Sequence, residues 1–227
     1  MAKSTAQKEK TFTVAVSVLG IDSNFEPATL AAFQYREKNV YPSIASKGFA
    51  INKCQGPMAK RIYVAPKAKQ PGVVYLTGVG HGSYTTYTGQ YYTPVFQVGN
   101  YSADEAKDKI VHFLSCETAR DLGPDFVKNG CLAYFGYDED FVFIPADQDV
   151  FFECDSEIDR AFADGLTAAQ VYDRVKTRFA QRAADFRASG NQNAAATLEL
   201  DFDRLRCPSS PPPPSGNAWG DVNAKLP

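Results

Sequence analysis

Two short apolar runs constrain the fold more than any other feature of the chain. One is Val73-Val74-Tyr75-Leu76-Thr77-Gly78-Val79, followed by Gly80-His81-Gly82; the other is Ile110-Val111-His112-Phe113-Leu114, followed by Ser115-Cys116. Each is apolar at successive positions rather than at helical spacing, and each is too short for a buried helix. Runs of this kind read as strands covered on both faces. Cys131-Leu132-Ala133-Tyr134-Phe135 has the same character, and a β-branched, alternating stretch at 12–19 reads as a first strand. Helical signals separate them. Pro27 opens a stretch carrying Ala28, Leu30, Ala31 and Phe33, with proline at the first helical position. Gly123-Pro124 and Asn129-Gly130 bracket a second, near 118–128, with Leu122, Phe126 and Val127. Strands alternating with helices predict an α/β domain of three layers, its central sheet mostly parallel with helices on both faces.

Elsewhere the reading is coarser. Phe49-Ala50-Ile51 and Arg61-Ile62-Tyr63-Val64 are plausible short strands, and Ser83 to Tyr101, rich in Tyr, Thr and Gly, reads as an extended loop or hairpin. Ser102-Ala103-Asp104-Glu105 has the capping-box pattern of a short helix. Phe151, Ile158 and Phe162 mark one helix, and Thr167 to Gln170 caps a longer one carrying Val171, Val175, Phe179, Ala183 and Phe186 at amphipathic spacing. Ala194 to Leu205 adds a last helix or strand. Pro208 to Ser215 reads as a stiff polyproline segment. The predicted organisation is a loose terminus at 1–10, one domain at 11–207 and a Pro-rich tail at 208–227.

Composition removes several function classes. Apolar residues make up 44% of the chain, enough for a core. A net charge of −2, with Lys and Arg scattered, gives no nucleic-acid footprint. No stretch reaches the roughly 18 apolar residues of a membrane span, and the apolar run after Lys3, Lys8 and Lys10 lacks a signal-peptide cleavage site. Five cysteines without a CxxC pair predict free thiols in a reducing compartment, hence a cytoplasmic location. Neither His-Glu-x-x-His nor closely spaced Cys and His ligands occur, so no metal is expected. Gly78 to Ser83 lacks the Gly-x-Gly-x-x-Gly and Lys-Ser/Thr patterns of phosphate loops, so no nucleotide cofactor is expected.

A His and a Cys at the ends of buried strands have a specific meaning. Parallel sheets build their sites at strand tips, and neighbouring strands lie roughly 4.8 Å apart. Attack by sulfur on a peptide carbonyl needs a nucleophile, a proton donor for the leaving amine and donors for the oxyanion. Cys116 supplies the sulfur, its thiol pKa lowered by the turn and helix that follow. His81 is the acid–base group, since histidine ordinarily titrates near neutral pH. The N–H groups of Gly82 and Cys116 form the oxyanion hole. His112 lies four residues before Cys116, roughly 13 Å along one strand, too far for proton transfer. It reads as a structural residue hydrogen-bonded within the sheet.

An apolar strand ending in His-Gly and a second ending in a small residue and Cys, 35 positions apart (116 − 81), resemble the caspase–gingipain–legumain clan of cysteine peptidases. Cys131 to Gly136 and Phe162 to Val171 are similar to later elements of those domains, so the resemblance spans roughly 12–206. It implies a caspase-like fold, an endopeptidase acting on protein or peptide substrates, His81 and Cys116 as catalytic dyad, and Gly82 as oxyanion donor. It also implies that the loop after the next strand lines the S1 pocket, so that Asp138 or Asp140 is expected to hold a P1 Arg or Lys. The caspase pentapeptide around the Cys is absent, and Leu114 stands where metacaspase-like members place an Asp. Two rival readings are an inactive peptidase-like binding module and a flavodoxin-like hydrolase or nucleotide-binding domain.

Overall fold

The two apolar runs become adjacent parallel strands, with Tyr75 opposite Ile110 and Val79 opposite Leu114. The computed structural model describes residues 15–211 and 218–227. Its first half runs β1 (Ser17–Asp22), α1 (Pro27–Tyr35), a π-helical turn (Arg36–Val40), α2 (Tyr41–Ala45), β2 (Ala50–Gln55), α3 (Arg61–Ala68) and β3 (Val73–Val79). Short strands β4 (Gly82–Ser83), β5 (Thr86–Thr88) and β6 (Pro94–Gln97) follow, then β7 (Ile110–Leu114), α4 (Leu122–Lys128) and β8 (Ala133–Tyr137). The chain continues through α5 (Gln148–Asp155), α6 (Glu157–Ala163), α7 (Ala168–Ala188), α8 (Gln192–Arg204) and β9 (Leu205–Arg206).

The main sheet has the order β2-β1-β3-β7-β8-β9. Its first five strands are parallel and β9 is antiparallel. Alternation along each strand divides the core in two. Val18, Tyr75, Ile110 and Phe135 face a layer built from α1, α2 and α5 to α8. Leu19, Leu76, Val111 and Tyr134 face α3, α4 and the small antiparallel sheet β4-β5-β6. Three layers with helices on both faces are the arrangement expected from the sequence.

Several local expectations change. Arg61 to Val64 is the start of helix α3 rather than a strand: Ile62 and Tyr63 stay exposed while Val64 and Ala68, four apart, bury, which is helical period. The single helix expected around Phe151 and Phe162 is two, α5 and α6, joined at Ser156. The hairpin expected beyond β3 is present as β4-β5-β6, and Ser102 caps a 3-10 turn at Ala103–Glu105. Residues 194–204 are helical and only 205–206 form a strand. Residues 218–227, expected to be tail, pack on the domain. Trp219 is buried, its indole N–H donating to the Ala119 carbonyl at 2.9 Å, and Gly220 bridges to Ala133 on β8. The loose terminus at 1–10, the start of the first strand at 12–14 and residues 212–215 of the polyproline segment fall outside the described residues.

Candidate active site

Strand order reverses at β1, which has β2 on one side and β3 on the other. Connections leaving in opposite directions open a crevice at the carboxyl ends of β1 and β3. Three segments reach it: Glu26 after β1, Gly80-His81-Gly82 after β3, and Ser115-Cys116 after β7. His81 and Cys116 line one pocket of about 170 Å³. Both are partly exposed, so the sulfur is not sealed in the core.

Gly82 brings the two segments into contact. A Cβ at this position would lie 2.1 Å from the Cys116 carbonyl oxygen, so only glycine lets the backbones pass. Thr88 N donates to His81 O at 2.9 Å, which makes Gly82 and Tyr87 a non-hydrogen-bonded pair of the hairpin. The Gly82 N–H therefore points away from its strand partner. The Cys116 N–H finds no acceptor among the described residues.

The segment carrying Cys116 is pinned from several directions. Glu117 takes a left-handed backbone, φ 62°, and its N–H donates to Glu139 O at 3.1 Å. Ala119 N donates to Tyr137 O and Leu122 N to Tyr84 O, both at 2.9 Å. Ser115 Oγ meets Thr118 Oγ1 at 2.9 Å, and the Tyr134 hydroxyl donates to the same Thr118 oxygen. A non-glycine residue at positive φ, held by this many bonds, is characteristic of a functional turn.

The expected lowering of the Cys116 thiol pKa does not occur. Helix α4 begins only at Leu122, six positions on, too remote for its amino end to help. Burial pushes the thiol up to about 11; the Phe141 N–H draws it back, and the Asp140 carboxylate beside the sulfur adds to the rise. The resting group is a thiol that needs a base. Asp140→Asn removes a negative charge next to the sulfur and is expected to bring the alkylation midpoint below about 11. Each pKa unit recovered multiplies the thiolate roughly tenfold, while falling nucleophilicity returns about threefold of that. Iodoacetamide labelling of Cys116 near pH 8, followed by mass spectrometry, should therefore quicken about threefold per unit. A midpoint that stays put or climbs would contradict this placement.

Glu26 had no role in the sequence reading. It precedes Pro27 and caps α1, accepting from Ala28 N at 2.9 Å and Thr29 N at 2.6 Å. Its Oε1 lies 3.2 Å from His81 Nε2, at ion-pair distance but not aligned as a hydrogen bond. Burial opposes its ionisation, but the two N–H groups and His81 outweigh that and lower its pKa. The acid-then-proline pair at a helix start was the available signal. Phe25 and Tyr92 close the other side of the imidazole, their ring centroids 6.1 and 4.9 Å from it. Tyr91 and Tyr92 hold φ of 56° and 57°, so strained backbone presents the exposed Tyr92 ring to His81 and the exposed Tyr91 ring to Phe25.

Neither of the two carboxylates expected in an S1 pocket lines the pocket of His81 and Cys116. Asp138 pairs with Arg206 at 2.7 Å and lines a different, larger cavity with Trp219 and Tyr172. Asp140 lies against the Cys116 sulfur and is not among the residues lining the pocket. His112 is structural as expected, but its partners are on the helices rather than in the sheet: Asp155 at 3.2 Å from Nε2 and Asp159 at 3.4 Å from Nδ1.

Below the crevice this histidine joins a buried polar network. Arg36 Nε meets Asp22 at 3.1 Å, Nη1 meets Asp159 at 3.0 Å, and Nη2 donates to Thr77 Oγ1 at 2.7 Å. Asp22 also accepts from Val79 N at 3.2 Å, tying the end of β1 to the strand that carries His81. Burial works against the His112 cation, but Asp155 and Asp159 outweigh it and push its pKa up to about 9. Asp201, which accepts from Val142 N at 2.9 Å, is pushed up to about 8 by burial, partly offset by that N–H.

Both groups bind a proton more tightly in the folded chain than in the unfolded one, so folding stability falls as pH rises. The His112 contribution is complete below 6.5 and lost through about 9; that of Asp201 declines from 3.8 through about 8. The melting temperature should drop steadily between pH 6.5 and 9. Calorimetry showing a flat or rising midpoint across that window would refute this assignment.

No protein-family model matches the chain, and neither does any curated protein. Among the described residues no group of three or more His, Cys, Asp or Glu is placed to hold a metal ion. Nor is any described helix long and apolar enough to cross a membrane.

Proposed function

We propose that the protein is a cysteine endopeptidase with a three-layer caspase-like fold, working in the cytoplasm on an extended peptide. One observation carries this reading. His81 and Cys116, on the ends of neighbouring parallel strands, line a single pocket, with the Gly82 backbone packed against the Cys116 carbonyl. His81 takes the thiol proton as Sγ attacks the scissile carbonyl carbon. The carbonyl electrons pass to oxygen, where the Gly82 and Cys116 N–H groups hold the charge. As the C–N bond breaks, the proton on His81 goes to the departing amine and a thioester remains. Water, deprotonated by His81, then attacks the thioester and releases a carboxylic acid and the restored thiol. Glu26 keeps a carboxylate oxygen 3.2 Å from the imidazole Nε2 throughout these steps.

The raised thiol pKa and the Asp140 carboxylate beside it favour a second reading, a peptidase scaffold kept as a binding module. A peptide-library digest comparing the wild type with Cys116→Ala separates the two. Cleavage by the wild type alone is expected. Identical digests from both proteins, or none from either, would overturn the Cys116 peptidase reading.

A further inference from the structure

We infer that the pocket beneath His81 and Cys116 selects an apolar side chain, of leucine to phenylalanine size, on the acyl side of the cleaved bond; this rests on the peptidase reading. The walls are Ala28 and Ala32 from α1, Leu114 from the end of β7, Phe152 from α5, and Phe141 and Phe143 from the loop after β8. His81 and Cys116 themselves are the only titratable groups among the lining residues. Leu114, two positions before the nucleophile, puts an apolar side chain on the floor.

No carboxylate stands among the residues lining the pocket. Glu26 is committed to two backbone N–H groups and His81. Asp22 lies fully buried below, on Arg36. Asp138 is paired with Arg206 behind the loop, and Asp140 is at the sulfur rather than in the walls. A guanidinium, ammonium or carboxylate entering this slot would lose water and gain no partner, the expensive outcome for any charge. An apolar side chain loses nothing on entry. Size agrees as well: the volume of about 170 Å³ slightly exceeds the roughly 150 Å³ apolar cavity known to accept a benzene ring.

The decisive experiment uses peptidyl acyloxymethyl ketones that differ only at P1 (Leu, Phe, Ala, Arg, Lys or Asp). Sγ displaces the carboxylate leaving group, its thiol proton leaves with that acid, and the resulting thioether at Cys116 is timed by intact-mass spectrometry. Leu and Phe probes are expected to label roughly 100-fold faster than Arg, Lys or Asp probes. Leu114→Asp should shift preference toward Arg and Lys. Ala28→Leu, which narrows the half-buried mouth without placing a charge in the core, should shift it toward Ala. Faster labelling by an Arg, Lys or Asp probe would overturn the pocket assignment and leave the peptidase reading intact. An unchanged preference in a folded Ala28→Leu protein would do the same. If no peptide ketone labels Cys116 faster than the other cysteines, the peptidase reading itself falls, and the pocket assignment with it.

Discussion

His81→Ala and Cys116→Ala should each lower kcat/KM for a cleavable peptide about 10⁴-fold, and the double variant should lose no more than either alone. The magnitude follows from the state of the thiol. At a pKa of about 11 very little thiolate exists at neutral pH, so attack depends on a base that removes the proton during the step. Without the imidazole the sulfur stays protonated; without the sulfur the imidazole has nothing to activate. Two groups acting in sequence on one proton form a unit, and their losses do not add. About 10⁴-fold corresponds to roughly 5.4 kcal/mol of transition-state stabilisation. Steady-state rates on one fluorogenic substrate, with folding checked by circular dichroism, measure all three variants. Additive losses would mean that the two residues act independently and that the shared pocket is coincidental. His81→Ala retaining near-normal turnover would transfer the base role to another group, with Asp140, the carboxylate beside the sulfur, the first candidate.

The sheet and the meeting of His81 and Cys116 in one pocket were readable because both depend on local pattern. An apolar run of five to seven residues has few alternatives to a buried strand, and His81-Gly82 and Ser115-Cys116 sit where such runs stop. Helix α7 was equally plain from its Thr167 cap and apolar stripe. What sequence could not supply was the identity of neighbours across the fold. Arg61 to Val64 alternates well enough for a strand, and only the burial of Val64 and Ala68 against the β1–β3 face makes it a helix. Asp138 and Asp140 follow β8 as expected, but whether an acidic loop faces a pocket depends on its cationic partner. Arg206, about seventy positions later, claims Asp138. Residues 218–227 looked like a tail because Trp219 is isolated in sequence from its apolar partners. Glu26 carried a readable helix-start signal, but its closeness to His81 arises only once β1 and β3 lie side by side.

Arg36→Met should remove about 3–5 kcal/mol of folding stability, out of a total of about 5–15 kcal/mol. Arg36 is 1% exposed and stands between Asp22 and Asp159, both fully buried. Burial works against its cation, but the Tyr41 oxygen, Asp159 and Asp22 outweigh that and push its pKa upward. Methionine fills much of the same space, so packing loss is the lesser effect. The dominant penalty is electrostatic, because two carboxylates lose their shared cation inside the core. Asp159 still has Tyr75, Thr77 and His112. Asp22 keeps only the Tyr41 hydroxyl, Gln55 and the Val79 N–H, all neutral. Asp22 should therefore take up a proton and weaken its hold on Val79, the residue two before His81. A urea midpoint lowered by about 1–2 M is the expected signature. Adding Asp22→Asn to Arg36→Met should recover part of that loss, because it neutralises the stranded charge while keeping a group that can accept from Val79 N. An unchanged midpoint in Arg36→Met would mean that the network contributes nothing net to folding. A double variant weaker than the single would mean that Asp22 is retained for its shape and hydrogen bonds rather than for its charge.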